Sequence, residues 1–466
     1  MRTHAATGDS DVATPQRGSS IAPRVERLMP ELKSDLMRLV RIPSIAFPGF
    51  PTAPVGEAHD LVAELLGDAG VQQVGTLSLP DTSPIITGEI PAPKGAPTVL
   101  LYAHYDVQPP GEERLWKTPP FEPTERDGAI YGRGAADDKS NLIAHIGALR
   151  AFDGKPPVGI KILFEGQEEY GSALDDYPLQ HPDPFRADAI VVGDVGNVRA
   201  GTPTLTIALR GDAEVLVEVR TLAEAKHSGE FGGAAPDALI VLLHALASLH
   251  DEHGDVAVAG LRREAWKGAS YTEDEFRQLA GVEPGVRLFG TGSLGERLWS
   301  GPAITVMGLD APAVETAAAA VVPYARAKLN LRVHPQQSAT EARDALIRDL
   351  EAVRPFGVAV RAAPSGGPGD GFSAVTTGPA YAAARAALRT AWGSEPVDMA
   401  IGGAIPLASA MHQAVPDAEI LLFGAQDGHC NLHAPNERVL LDELERTVLA
   451  EAQFFSQYAS RKERSR

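Results

Sequence analysis

The chain has 466 residues, 44% hydrophobic and 22% charged, with a formal net charge of -19. This is a globular composition of roughly two or three domains, neither disordered nor membrane-embedded, and its acidity excludes nucleic acid or an anionic membrane as the main partner. The single cysteine, Cys430, excludes an internal disulfide and a thiolate metal cluster, so any metal must use His, Asp or Glu; it also fits a reducing compartment.

The first 23 residues, beginning "MRTHAATGDSDVATPQRGSS", have no continuous apolar run and read as a flexible tail on a cytoplasmic protein. From residue 24, helical spacing of apolar residues predicts a helix in "RVERLMPELKSDLMRLVRIPS", stopping near Pro43, and another in "GEAHDLVAELLGDAG", stopping at Gly70. Short apolar runs follow, "TVLLYA", "GIKILF" and "DAIVVG", with the helical "SNLIAHIGALRAF" between the first two. That alternation predicts an α/β catalytic domain with a mostly parallel sheet flanked by helices, its first part spanning 24–201.

From about Thr202 the texture changes to alternating strands such as "TLTIALRGDAEVLVEV", the apolar helix "PDALIVLLHALASL", and "YARAKLNLRVHP" leading into the helix "TEARDALIRDLEAV". These predict an inserted α+β unit, two helices on an antiparallel sheet, over 202–368. Within it the Ala-rich "VETAAAAVV" reads as part of a helix. After the seam "APSGGPGDGFS", the segments "AYAAARAALRTAWG" and "AEILLFG" return to helix and strand, so the first domain resumes over 369–466.

Residues able to bind a metal collect where the apolar strands end. His104 follows "TVLLYA", Glu168 and Glu169 follow "GIKILF", and Asp194 follows "DAIVVG". Ligands of open α/β sheets gather in the crevice beyond the carboxyl ends of the strands. Asp137 in "YGRGAADDKS" and His433 in "GHCNLHAPNE" are further candidates. Singly, each has an ordinary reading: a helix cap for Asp137 or Asp138, a core histidine for His104, a turn former for Asp194. Collected at corresponding strand ends, two imidazoles and several carboxylates without a thiolate suit zinc, manganese or cobalt better than calcium or magnesium.

The stretch "FEGQEEYGS" packs three glutamates together, and crowded carboxylates must be protonated, paired or bound to a cation. Adjacent side chains on extended backbone diverge, so Glu168 and Glu169 can line one crevice in different roles. Glu165 is left as a strand-end solvent or salt-bridge residue. His244, His250 and His253 read as packing or surface groups, and Cys430 as a small packing residue.

The segments "LLYAHYDVQP", "YGRGAADDKS", "EGQEEYGS", "KHSGEFGG", "LNLRVHPQQ" and "HAPNERV" occur in this order. Through them the chain, from about residue 24 to 458, resembles the co-catalytic zinc peptidases that include carnosine dipeptidase, bacterial carboxypeptidase G and aminoacylase. The resemblance implies two divalent metal ions, zinc or alternatively manganese or cobalt. His104 and Asp194 would hold one, Glu169 and His433 the other, and Asp137 would bridge them. Asp106 would orient the His104 imidazole, and Glu168 would be the general base that activates a metal-bridging water and later protonates the leaving amine. A cis peptide is expected at Asp137-Asp138.

The resemblance also casts Arg332 as the grip on a substrate carboxylate, and Gly402 and Gly403 as a substrate loop, with Ala404 where the family usually has a hydroxyl residue. His227 would reach from the inserted lid into a partner subunit's site and donate to the developing oxyanion, although Ala225-Lys226 stands where the family commonly has Asp-Leu. Its ordinary reading is a loop histidine capping the helix that begins near Pro236. The expectation is a cytoplasmic homodimer, paired through the lid domain, that hydrolyses dipeptides or short peptides with a free carboxylate. An N-acyl amino acid amidohydrolase uses the same chemistry. A non-catalytic peptide-binding paralogue should have lost a ligand or the base, yet all six residues are present.

Overall fold

The computed structural model describes residues 21–403 and 405–464. The expected tail therefore lies outside the described residues except at its end, where helix Ile21–Val40 has already begun. Ala404 lies outside them too. No helix among the described residues is long and apolar enough to cross a membrane.

The large sheet runs in the order Gln72–Leu77, Ile85–Ile90, Gly159–Glu165, Thr98–His104, Ala189–Val192, Glu419–Leu422, Thr204–Leu209 and Phe372–Ser373, with Val397–Ile401 also pairing with Thr204–Leu209. Its four central strands are parallel, and antiparallel pairs close both flanks. Side chains alternate between two cores: Val99, Leu101 and Ala103 enter one, Leu100 and Tyr102 the other. Burial on both faces is why the central strands read as unbroken apolar runs.

Helix Lys139–Arg150 joins two of these strands and is buried from residue 139 to 149. It lies against the sheet and against helices Ile21–Val40 and Leu441–Arg464, which cover its outer side. His104 pairs in register with Glu165, and Tyr102 with Val192. In-register parallel strands end together, so the residues just past Glu165 and Val192 emerge at the edge where His104 sits.

The inserted unit is a four-stranded antiparallel sheet, ordered Ala303–Asp310, Tyr324–Val333, Gly211–Arg220 and Val360–Pro364. Val215, Val217 and Val219 pack with Leu329, Leu331 and the helices Ala238–Ala247 and Ala339–Ala352 in a core of their own. One expectation shifts here. Thr204–Leu209 belongs to the large sheet and only Gly211–Arg220 to the insert, so the chain changes sheets at Arg210 rather than near Thr202. The burial patterns differ accordingly: Thr204–Leu209 is buried nearly throughout, while Gly211–Arg220 alternates as a sheet covered on one face.

A second correction concerns "VETAAAAVV". It forms a short 3-10 turn, Val314–Thr316, followed by strand Ala320–Val321, which pairs with Lys226–His227. Residues 311–319 are exposed and have no apolar face to bury, so their alanines gain nothing from tertiary packing as a helix.

Candidate active site

His104 closes its strand fully buried. Its Nδ1 is 3.1 Å from the backbone oxygen of Asp106 and 3.4 Å from Oδ1 of the same residue. Two acceptors on that side fix the Nδ1–H and turn Nε2 to the cavity, where a bound metal would meet its lone pair. There Nε2 lies 3.2 Å from Asp137 Oδ1 and 3.8 Å from Asp194 Oδ1.

Across the cavity, His433 Nε2 is 3.0 Å from Asp137 Oδ2 and 3.2 Å from Glu169 Oε2. Asp137 thus offers one oxygen to each histidine. The peptide bond Asp137-Asp138 is cis, as expected.

Asp106 has a further task that its expected role omits. Its Oδ1 accepts the backbone N–H of Glu168 at 3.0 Å, and Oδ2 accepts that of Glu169 at 3.2 Å. The two glutamates sit in the turn after Gly159–Glu165, not on extended backbone, and Asp106 pins that turn beside His104. Glu169 Oε2 also accepts a hydrogen bond from Gln108 Nε2 at 2.8 Å.

Among the described residues, two sets of side chains bring ligand atoms within 4.8 Å of one another: His104, Asp138 and Asp194, and Asp137, Glu169 and His433. Asp138 is the poorer ligand of the first set. Its Oδ2 already accepts the His104 N–H and its Oδ1 the Asn141 side chain at 2.7 Å.

Burial, and then repulsion from Asp194, drives the Glu168 carboxyl well above the usual range. Burial, and then Asp137, raises Asp194 to about 6. Hydrogen bonds to Asp137 and Glu169 lift His433 to about 10. Burial works against ionisation of Asp137, but hydrogen bonds from both histidines hold it below the usual carboxylate range. Carboxylates pressed to hold protons are short of positive charge, and divalent cations supply it. The nitrogen and oxygen donors fit a zinc-type ion.

A cavity of about 650 Å³ is lined by Asp137, Glu168, Glu169, Asp194, His433 and Gly403, among others. Two expected site residues lie elsewhere. Arg332 pairs with Asp212 at 3.2 Å and lines a separate cavity between the insert and helix Pro406–Ala414. His227 is exposed, and its Nδ1 accepts the N–H of Gly229, capping helix Ser228–Phe231; Asp237 caps the helix that follows Pro236. Gly402 is the close-approach point of its loop, since a Cβ there would stand 2.8 Å from Arg210 Nη2.

Two further findings come from residues left without a role. Glu165 is neither solvated nor salt-bridged. It is buried and accepts hydrogen bonds from Ser172 and, at 2.9 Å, from Tyr102. Glu437, fully buried just past the "HAPN" loop, accepts from the N–H groups of Gly134, Ala136 and Asp137 and from Arg133. Both Arg133 and Glu437 stand inside motifs quoted above, but only their burial in the fold shows that one answers the other.

His104 at the end of a parallel strand and His433 in a later loop, set around a shared Asp137 with three further carboxylates, fit a metal-dependent hydrolase. Residues 100–457 match the model of peptidase family M20/M25/M40, and the chain belongs to this family of metallopeptidases. It is 39% identical over 410 residues to a cysteinylglycine-S-conjugate dipeptidase of Corynebacterium striatum, covering 86% of this chain and 90% of the relative. It is 30% identical over 409 residues to the human beta-Ala-His dipeptidase, covering 82% and 80%. The structure of human carnosine dipeptidase 1 superposes with a TM-score of 0.76 at 27% identity over 94% of this chain and 98% of that one. That of the dipeptidase Dug1p from Saccharomyces cerevisiae gives 0.78 at 22% over the same shares.

Proposed function

We propose that this enzyme hydrolyses dipeptides or similar short peptides with a free C-terminal carboxylate. The observation that carries the reading is Asp137, set between His104 and His433 with Glu168 on the same cavity. The dipeptidase activities in the names of the relatives from Corynebacterium striatum and human support it. His104 and Asp194 would hold one divalent cation and Glu169 and His433 the other, with Asp137 shared. Bound there, zinc, or manganese or cobalt, supplies Lewis acidity toward the scissile carbonyl and a water of lowered pKa.

Glu168 takes the proton from the attacking water and returns it to the leaving nitrogen. Its raised affinity for a proton suits the second half of that exchange. Asp106 fixes both partners of the reaction centre, orienting His104 and holding the Glu168 turn. Arg332 receives the substrate carboxylate, exchanging Asp212 for it. Gly402 and Gly403 let the substrate backbone pass close.

His227 serves a second copy. It faces outward from the lid and lines neither cavity of its own chain. The lid also offers a surface for a homodimer: edge strand Ala303–Asp310 exposes Val306, Met307 and Leu309, and the neighbouring helix exposes Ile240 and Leu243.

The experiment is a panel of dipeptides, amidated dipeptides and N-acyl amino acids, assayed with added zinc or manganese. Preferred hydrolysis of free dipeptides is expected. Preference for N-acyl amino acids would make the enzyme an amidohydrolase, and binding without turnover of any compound would make it a peptide-binding protein.

A further inference from the structure

Within the insert, the segment before edge strand Ala303–Asp310 turns back to the catalytic cavity. It carries helix Glu273–Leu279, started by a capping box between Thr272 and Glu275. Glu275 is also gripped by Arg199, with Nη2 2.6 Å from Oε2, and the same guanidinium nitrogen donates to the Ser270 carbonyl at 2.9 Å. Arg199 lies just past Asp194 in the chain. The latch therefore ties the returning segment to the loop that leaves a proposed metal ligand.

The consequence is a wall. Tyr271 and Leu279 both line the cavity that holds Asp137, Glu168 and Asp194. The Tyr271 ring packs on Trp299 with centroids 5.7 Å apart. The δ carbons of Leu279 lie 3.6 and 3.7 Å from where a Cβ on Gly428 would stand, so the leucine covers the loop leading to His433. Met399, Ile401, Ile405 and Leu432 continue the apolar side. The reaction-centre carboxylates and these apolar side chains thus share one cavity, together with Asn197, Gln426 and Asp427, and about 650 Å³ leaves room for a large side chain beside the reacting bond. Arg332 opens into the other cavity. On the proposed reading that Arg332 takes the C-terminal carboxylate, the residue left for the apolar lining of the catalytic cavity is the one on the amino side of the scissile bond.

We infer that Tyr271 and Leu279, held in place by Arg199 and Glu275, form a specificity pocket for a bulky apolar side chain on the residue that donates the scissile carbonyl. This rests on the dipeptidase reading. A pocket of this kind discriminates by displacing water from apolar surface, and side-chain selectivity of at least about tenfold is within its reach.

The test uses the metal-loaded full-length chain and the pairs Phe-Gly with Ala-Gly and Gly-Phe with Gly-Ala. In the wild type, kcat/KM for Phe-Gly should exceed that for Ala-Gly by about tenfold or more. Leu279→Trp, which fills the pocket from a half-buried position, should cut this ratio by about tenfold and leave the Gly-Phe to Gly-Ala ratio in place. Tyr271→Ala should lower the same first ratio. Calorimetric Kd values for the reduced, non-hydrolysable isosteres of Phe-Gly and Ala-Gly should shift in parallel. Proportional losses on Phe-Gly and Ala-Gly, or a shift confined to the C-terminal pair, would overturn the assignment. If no dipeptide is cleaved the functional reading fails, while the two Kd values still decide the pocket.

Discussion

The carboxylate of Glu437 accepts the backbone N–H of Asp137 at 3.0 Å. The same buried group takes Gly134, Ala136 and the Arg133 guanidinium, so one side chain from the far end of the chain shapes the loop that presents Asp137. Glu437→Ala leaves Arg133 buried without its counter-ion. It should cost about 3–5 kcal/mol, read as a lower urea midpoint for the metal-free protein, with Glu437→Gln milder. Equal stability of the alanine variant and the wild type would remove this anchor.

Glu168→Gln should lower kcat by about 10²–10⁴-fold while metal content stays near wild type, since the base is lost and no proposed ligand is. Elemental analysis beside kinetics separates the two glutamates. Loss of both metals, or substantial residual activity, means their roles are reversed.

Arg332→Lys should raise KM for peptides with a free C-terminus, because a point charge replaces a planar fork, with kcat less affected. Amidated peptides should be poor substrates of the wild type. Equal handling of amidated and free peptides would take the carboxylate grip away from Arg332.

His227→Ala should lower kcat by about 10²–10³-fold, the usual cost of a lost oxyanion donor, with metals retained. Mixed with Glu168→Gln it should recover activity, because one site of the heterodimer would then combine an intact base with a partner's histidine. Subunit exchange is verified by native mass spectrometry. Exchange without recovery would confine His227 to its own chain or to no catalytic role.

Burial pushes the Glu165 carboxyl from its ordinary 4.5 up to about 7. A carboxyl with a raised folded value binds its proton more tightly when folded. Its contribution is therefore most favourable below about pH 4.5 and is lost as pH rises toward 7. Glu165→Gln keeps one acceptor oxygen, places an NH2 donor where the second oxygen stood, as the protonated carboxyl does with its O–H, and removes the titration. The stability of the variant relative to wild type should climb across that window by about 3 kcal/mol, at about 1.4 per pH unit, and level off above it. A pH-independent difference in urea unfolding of the metal-free proteins would contradict this.

Local pattern carried much of the architecture. His104, the glutamate pair and Asp194 were legible because parallel strands announce their ends as breaks in apolar runs. The sheet switch at Arg210 was not legible, because Gly211 and Asp212 run on as extended strand there instead of forming a turn. Nor was the partner of Glu437, whose bond to Asp137 spans 300 residues. Glu165 was misread because a strand-end carboxylate is usually solvated, and only the tertiary lid of Ser172 and Tyr102 shows otherwise.

Strand Glu419–Leu422 is inserted between Ala189–Val192 and Thr204–Leu209, both made long before it. During synthesis the lid, with a core of its own, can close while the large sheet still has an open slot at its centre. The waiting edges of Ala189–Val192 and Thr204–Leu209 are the kind of surface that recruits chaperones or aggregates. His433 and Glu437 leave the ribosome later still, so a chain truncated before residue 437 lacks the carboxylate that holds the loop from Arg133 to Asp137.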